Sequence, residues 1–173
     1  MTVFTACGRA SQPVRIDLLS LLSTAEKKPP TRDPKVVAVQ DVDVDGGRKP
    51  AVIVPQPSRI VWTVRIPRRA VLTARIGMLP DRSGKYDGDA SFRFGVSGGR
   101  LYEKLFERTL NPRDEAADRV MIPVSVDLGA YAGWQWSLFY RPSETSWGLV
   151  FSVDHSGSSV TPVWVQPTVA GYR

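Results

Sequence analysis

Arginine recurs on alternate positions of apolar runs in this chain. Arg59 and Arg65 bracket Ile60, Trp62 and Val64, Arg75 interrupts AVLTARIGM (70–78), Arg93 sits inside ASFRFGVS (90–97), and Arg141 closes WQWSLFYR (134–141). A guanidinium is a planar fork of donors that meets carboxylate, sulfate or phosphate at two points. Arginines two apart on a strand share one face, with Thr73, Ser91, Gln135 and Ser137 as polar neighbours, and that face could read an acidic or hydroxyl-rich ligand. Aromatic rings supply the complementary chemistry, because the C–H face of a pyranose stacks on an apolar plane while its hydroxyls find polar partners. Tyr131 and Trp147 stand in turns and Trp134 at a strand start, where exposure is expected; Trp62, Trp136 and Trp164 fall mid-strand and are expected in the core. The candidate ligand-binding set is therefore Arg75, Arg93, Arg141, Tyr131, Trp134 and Trp147. The plain alternative for the arginines is a solvated face, paired with Glu103, Glu107 or Asp127 and contributing little.

Catalysis has little to draw on, and no enzyme is expected. Glycoside hydrolysis needs two carboxylates facing across a cleft, and the scattered acids single out no pair. A nucleophilic triad would have to use His155, the only histidine, with Asp154 and Ser156 beside it, and sequence neighbours seldom converge in that way. Cys7 is the only cysteine, so an internal disulfide and a Cys/His metal cluster are both excluded. Asp41, Asp43 and Asp45 alternate in a valine-rich run, but the glycine and closing glutamate of a calcium loop are missing, and a solvated strand edge is the better reading. Asp87 and Asp89, in the 85–89 loop, suit a turn, with a cation or a sugar hydroxyl as the functional alternative. No cofactor and no metal is expected.

The formal charge is +6, and residues 51–86 hold all of the surplus: Arg59, Arg65, Arg68, Arg69, Arg75, Arg82 and Lys85 stand against Asp81 alone. Such a patch attracts anions of any kind. Nucleic acid is not the expected partner, since no Lys/Arg run and no recognised binding motif accompanies it.

The elements that must position these residues are strands. A chain of 173 residues is the size of one domain. Period-two patterning marks nine strands, at 51–54, 58–66, 70–78, 90–97, 100–110, 120–128, 134–141, 147–153 and 161–166, separated by Gly, Pro and Asn turn residues. An alternating run from Val37 to Val44 adds one or two edge strands. IDLLSLLSTAE (16–26) carries Ile16, Leu19 and Leu22 at helical spacing and ends at Lys27-Lys28-Pro29-Pro30, which predicts one short N-terminal helix. Many strands without intervening helices predict an all-β fold, antiparallel sheets packed face to face. The expected organisation is a tether over 1–14, the helix over 15–28 and a β-sandwich domain over 29–173.

PQPSRIVWTVRIP (55–67), GDASFRFGV (88–96), LYEKLFERTLNP (101–112), VDLGAYAG (126–133) and VWVQP (163–167) together resemble the galactose-binding-like, jelly-roll β-sandwich domains of bacterial envelope proteins. Such domains are similar to non-catalytic carbohydrate-binding modules, and the resemblance implies a binding role. They often carry an acidic, Trp-rich segment before the last strand, whereas 154–159 here is mostly Ser and Gly, which argues against a bound calcium at that end. At the N-terminus, Phe4-Thr5-Ala6-Cys7 resembles the lipobox of bacterial lipoproteins without the leader that would precede it. Two readings stand for Cys7: the lipid attachment site of a chain whose start lies upstream, or an ordinary thiol in a frayed terminus.

The expectation is a carbohydrate-binding-like module of the bacterial cell envelope or periplasm, lipid-anchored through Cys7, that stacks glycan, acidic glycan included, on aromatic rings and reads it with arginines. The membrane enters only through that anchor. The alternative is a protein-interaction or assembly subunit of an envelope complex, whose partner is another polypeptide.

Overall fold

The computed structural model describes residues 11–28, 37–54, 57–98, 101–132, 146–156 and 161–173. Among them lie the strands β1 (Pro13–Asp17), β2 (Glu26–Lys28), β3 (Ala38–Val44), β4 (Gly47–Ile53), β5 (Ser58–Val64), β6 (Arg68–Leu79), β7 (Ala90–Ser97), β8 (Tyr102–Leu110), β9 (Ile122–Asp127), β10 (Trp147–His155) and β11 (Thr161–Tyr172). All pair antiparallel, in two sheets. The first runs β3-β4-β11-β6-β9 with β1 added against β11, and the second runs β2-β5-β10-β7-β8. Counting β4 to β11 as first to eighth, the sheets read 1-8-3-6 and 2-7-4-5. Among these eight, successive strands cross from sheet to sheet everywhere except the β7-β8 hairpin, which is the interleaving of a jelly roll.

Period-two patterning explains the core. In β5, Ile60, Trp62 and Val64 are buried while Arg59 and Thr63 are exposed; in β7, Phe92, Phe94 and Val96 turn inward. Phe151 on β10 is the hub. Its ring meets Trp62 and Phe94 edge-on at 4.9 Å within its own sheet, and Trp164 of β11 at 4.7 Å across the sandwich. Trp164 also meets Phe92 at 5.4 Å. Edge-to-face pairing sets the positive edge of one ring against the negative face of the next, so these contacts fix orientation as well as burying area. The mid-strand assignment of Trp62 and Trp164 to the core therefore holds, each being 1% exposed; Trp136 lies outside the described residues.

The first sheet buries apolar residues on both faces. Trp164 points into the main core, while its neighbours Val163 and Val165 point outward into a second cluster with Val42 and Val44 of β3 and Ala51 and Ile53 of β4, with Leu79 and Met121 packed against it. The β3-β4 hairpin makes this possible. Asp45 (φ 51°) and Gly46 (φ 77°) form its two-residue turn between the paired Val44 and Gly47, which matches the type I′ geometry that Asp-Gly favours. Asp45 then reaches across β11 to ion-pair with Arg75 of β6, holding the tip over the sheet. Asp41, Asp43 and Asp45 are all exposed, on the solvated side of this edge.

Two expectations are corrected. Residues 16–26 form no helix: Ile16 and Asp17 belong to β1, paired with Val169 and Thr168, and 18–25 is a chain of tight turns closed by Leu21, Leu22, Thr24 and Ala25 N–H groups donating to carbonyls three residues back. The segment has to carry the chain from the first sheet (β1) to the second (β2), and the Asp17 carboxylate accepts the Leu19 N–H at 2.9 Å at its start. Leu22, expected in a helical stripe with Ile16 and Leu19, instead joins Leu18 as one of two plugs at the rim of the core. The last strand is longer than 161–166. Pro167 does not end it, because Gln166 (φ 46°) sits in an irregularity between Val165 and Thr168 where no N–H is required of the proline. There β11 changes neighbour, pairing β4 through 163–165 and β1 through 168–172.

Removing the hub should be costly. Phe151→Ala should destabilise the fold by about 3–5 kcal/mol in chemical denaturation, while Phe151→Leu should cost markedly less.

Candidate functional site

The outer face of the second sheet carries the described groove that gathers expected ligand chemistry. Strand register builds it row by row. Lys28, Arg59, Ser152, Arg93 and Glu107 lie on one row running across β2, β5, β10, β7 and β8. The next row is Glu26, Val61, Val150, Gly95 and Lys104, and the one beyond places Thr63, Gly148, Ser97 and Tyr102 side by side. Long cationic side chains and a tyrosine thus stand around a floor of Ser, Val and Gly. The result is a groove of about 440 Å³ lined by Lys28, Arg59, Arg93, Tyr102, Val150, Ser152 and Asp154 together with Pro57 and Ser58.

Gly95 makes room for the ring. A Cβ at this position would lie 2.3 Å from the Glu103 carbonyl oxygen and 2.6 Å from the Tyr102 ring, so a side chain here would displace both the β8 backbone and the ring that lies over the sheet. The register between β7 and β8 slips between Phe94 and Gly95, which puts Tyr102 and Lys104 on the same outer face as Glu107, an odd number of residues further along β8. Arg59 stands 5.7 Å from the Tyr102 ring centroid, in the range of a cation–π contact, and Tyr102 is 45% exposed.

The two arginines of the groove differ in availability. Arg93 donates to Glu107 at 2.6 Å and to Asp154, and Glu107 also accepts from Lys104. The Glu107 and then the Asp154 hydrogen bonds raise the Arg93 pKa, and those from Lys104 and then Arg93 hold the Glu107 carboxyl below its usual range. Arg93 is thus spoken for. The salt bridges in and around the groove belong to Lys28, Arg93 and Lys104, and among the described residues Arg59 takes part in none.

The other expected site residues are dispersed. Arg75 lies on the first sheet, bound to Asp45, and so cannot share a ligand with Arg93. Tyr131 and Trp147 do meet, edge to face at 5.3 Å, but at one end of the sandwich and half-buried against the core. A Cβ on Gly98 would come within 3.1 Å of the Trp147 ring, and the Tyr131 hydroxyl is hydrogen-bonded to Glu103. Trp134, Arg141 and Cys7 fall outside the described residues.

Residues 154–156 diverge. Asp154 points to Arg93 and the Ser156 hydroxyl to Asp89, while both His155 ring nitrogens are buried without a hydrogen-bond partner among the described residues. No group of three or more His, Cys, Asp and Glu able to hold a metal occurs among the described residues. Sequence reasoning named Arg59 as an outward residue without selecting it, and took Tyr102 only as part of a hairpin arm. The signal for Tyr102 was its place two residues after Gly98-Gly99-Arg100, where a strand begins and a ring is free to lie over the sheet.

No family model matches this chain, and no curated protein matches it. Solved structures do. A CBM22 xylan-binding domain from Paenibacillus barcinonensis superposes with a TM-score of 0.50 at 9% identity, covering 94% of this chain and 96% of that one. The C-terminal CBM6 of a marine laminarinase from Zobellia galactanivorans gives 0.42 at 10% identity over 92% and 99% of the two chains. The likeness to the xylan-binding domain is one of fold, and the expected jelly-roll sandwich, similar to carbohydrate-binding modules, is what the structure shows.

Tyr131 offers a spectroscopic test of the end cluster. Burial first, and then the Glu103 hydrogen bond, push its phenol from 10.0 up to about 12. A group whose folded pKa is raised contributes stability that is present below its unfolded pKa and lost as pH climbs through the folded one. Stability should therefore fall between about pH 10 and about pH 12, and Tyr131→Phe should flatten that part of the profile in denaturation followed by fluorescence.

Proposed function

We propose that this protein is a non-catalytic carbohydrate-binding module whose site is the groove on the outer face of the second sheet. The observation that carries the reading is the Tyr102 ring seated over Gly95 beside Arg59, which has no salt bridge among the described residues, at the rim of a floor of small residues. Tyr102 supplies a stacking plane. Arg59 and Lys28 supply donors for hydroxyl or carboxylate groups, and Arg93, fixed by two carboxylates, is a rigid wall that presents Asp154 and Glu107 as acceptors. Five strands at roughly 4.8 Å spacing make a lane of roughly 19 Å, room for about four sugar rings crossing the strands. The jelly-roll likeness to a xylan-binding domain supports a glycan as the ligand. The finer reading is a preference for acidic glycans, because the cation in the groove with no carboxylate partner among the described residues is Arg59.

Titration calorimetry with neutral and uronic-acid-containing oligosaccharides of increasing length tests this. Affinity should rise with length and level off near four rings, and Tyr102→Ala should weaken every ligand about tenfold. Arg59→Gln should weaken only the acidic ones, and Arg75→Gln, on the other sheet, should change nothing. A folded protein silent toward every glycan would move the same surface to the alternative, contact with another envelope polypeptide.

The proposed location is the bacterial cell envelope, with Cys7 as the lipid attachment site. The motif at 4–7 supports it. Metabolic labelling with a fatty acid, in the chain expressed from its own locus, should mark the protein and be lost in Cys7→Ser.

A further inference from the structure

Three arginines of the basic segment lie at one end of the sandwich. Arg65 follows the end of β5, and Arg68 and Arg69 open β6, so the three fall within a single sheet-to-sheet turn. All three are exposed, and among the described residues none is in an ion pair. Arg68 pairs across the ladder with Tyr172, itself exposed, which places Arg173 at the same end. The β7-β8 turn is here too, because Val64 at the end of β5 is opposite Trp147, whose ring covers Gly98. That turn projects Leu101, 82% exposed and closed by Gly98 N–H donating to its carbonyl. Two carboxylates of this end are engaged, Asp127 by the Gly129 N–H at 2.7 Å and Glu103 by the Tyr131 hydroxyl.

Arg69 adds a constraint. It holds a left-handed backbone (φ 50°), at the irregularity where the ladder skips between Ala170 and Tyr172, and the neighbouring Gly171 is packed so tightly that a Cβ there would lie 2.7 Å from the Arg68 carbonyl. The conformation turns Arg68 and Arg69 outward together, although both chain directions would be easier with glycine at this position.

The chain enters and leaves the fold at this same end. Pro13 pairs with Tyr172, and the Arg173 N–H donates to the Gln12 carbonyl at 2.9 Å.

We infer that this end of the sandwich, with Arg65, Arg68 and Arg69 around the projecting Leu101, rests on an anionic lipid surface. Loop tips that carry arginines around a single exposed aliphatic side chain suit a planar array of headgroups, with the cations at the phosphates and the leucine at the acyl boundary. A glycan or a nucleic acid would be held by a groove, and the described grooves lie on the sheet faces and at the 85–89 end. Contact here turns the outer face of the second sheet sideways to the membrane, leaving the groove open. The inference does not depend on what the groove binds, nor on acylation of Cys7, since charge supplies an attraction of its own.

Flotation of the full chain, produced without lipid modification, with phosphatidylcholine vesicles and with phosphatidylcholine–phosphatidylglycerol vesicles is the test. Binding should be confined to the anionic vesicles and fall as salt is raised. Each basic residue at such a surface contributes about fivefold in partitioning, so Arg65→Gln/Arg68→Gln/Arg69→Asn should lose roughly a hundredfold. Asparagine is used at Arg69 because it accepts the left-handed conformation. If the triple variant fails to fold, Arg65→Gln/Arg68→Gln should still lose more than tenfold. Arg59→Gln should float like the parent chain. Equal flotation on neutral vesicles, a folded triple variant that binds like the parent, or retention by heparin with none by anionic vesicles would each overturn the inference.

Discussion

The alternation of Val163, Trp164 and Val165 in β11 is the constraint from which the rest of the molecule follows. Trp164 enters the main core and meets Phe151 across the gap between sheets, while the two valines face the other way and need cover of their own. That cover is the β3-β4 hairpin, pinned by the Asp45–Arg75 ion pair. An exposed pair of this kind contributes little by itself; the apolar cluster beneath it does the stabilising, and the ion pair sets where the tip lies. With the centre of one outer face closed in this way, the opposite sheet carries the long cross-strand groove. Its outward residues are Ser, Gly and charged groups around a short strip of Val61 and Val150, a smaller apolar area than the valine cluster of the first sheet, and it forms the groove floor.

Much of the fold was legible because strand burial has a period of two. Strand β7 was expected at 90–97 and is found there, and the β5, β6, β8, β9 and β10 boundaries differ from expectation by a few residues. What was misread has a common cause. Leu18 and Leu22 satisfy a helical spacing, but two residues four apart also fit a turn that plugs a rim, and only pairing of β1 with the distant β11 decides between them. The run of β11 beyond 166 is hidden for the same reason, since the bulge that accommodates Pro167 is defined by a partner strand. Asp45-Gly46 was a local signal for a two-residue hairpin and could have been used.

The candidate site was less legible than the fold, again for a physical reason. Alternation tells which residues point outward from a strand but not which sheet the strand joins, and in a jelly roll neighbours in sequence nearly always belong to opposite sheets. Arg75 and Arg93 look equivalent in their strands and end on different sheets. Pairing was hidden as well. Arg93 meets Glu107 from the hairpin arm, as the solvated-face alternative anticipated, whereas Arg59, without a carboxylate partner among the described residues, is the cation left for a ligand. The basic segment 51–86 therefore does not act as one patch: it divides among a groove wall, a hairpin clasp, the turn at 65–69 and the loop at 81–89.

The closing strand pair ties these parts together. Strand β11 takes β6 on one side along its length and shares the other between β4 and β1, so the first and last strands of the described chain meet only after everything between them is in place. Such long-range pairing costs loop-closure entropy before any contact offsets it, which predicts slow folding for this topology. It also fixes an axis. Pro13 and Tyr172, the paired outer ends of β1 and β11, lie with Arg65, Arg68, Arg69 and Leu101 at one end of the sandwich, whereas the groove runs across the strands on its side, so a partner attached at the end and a ligand held on the side do not compete for surface. That separation follows from register alone: Val64 opposite Trp147 and Arg68 opposite Tyr172 set the end, and Arg59 opposite Ser152 sets the groove several residues away along the same strand, β5.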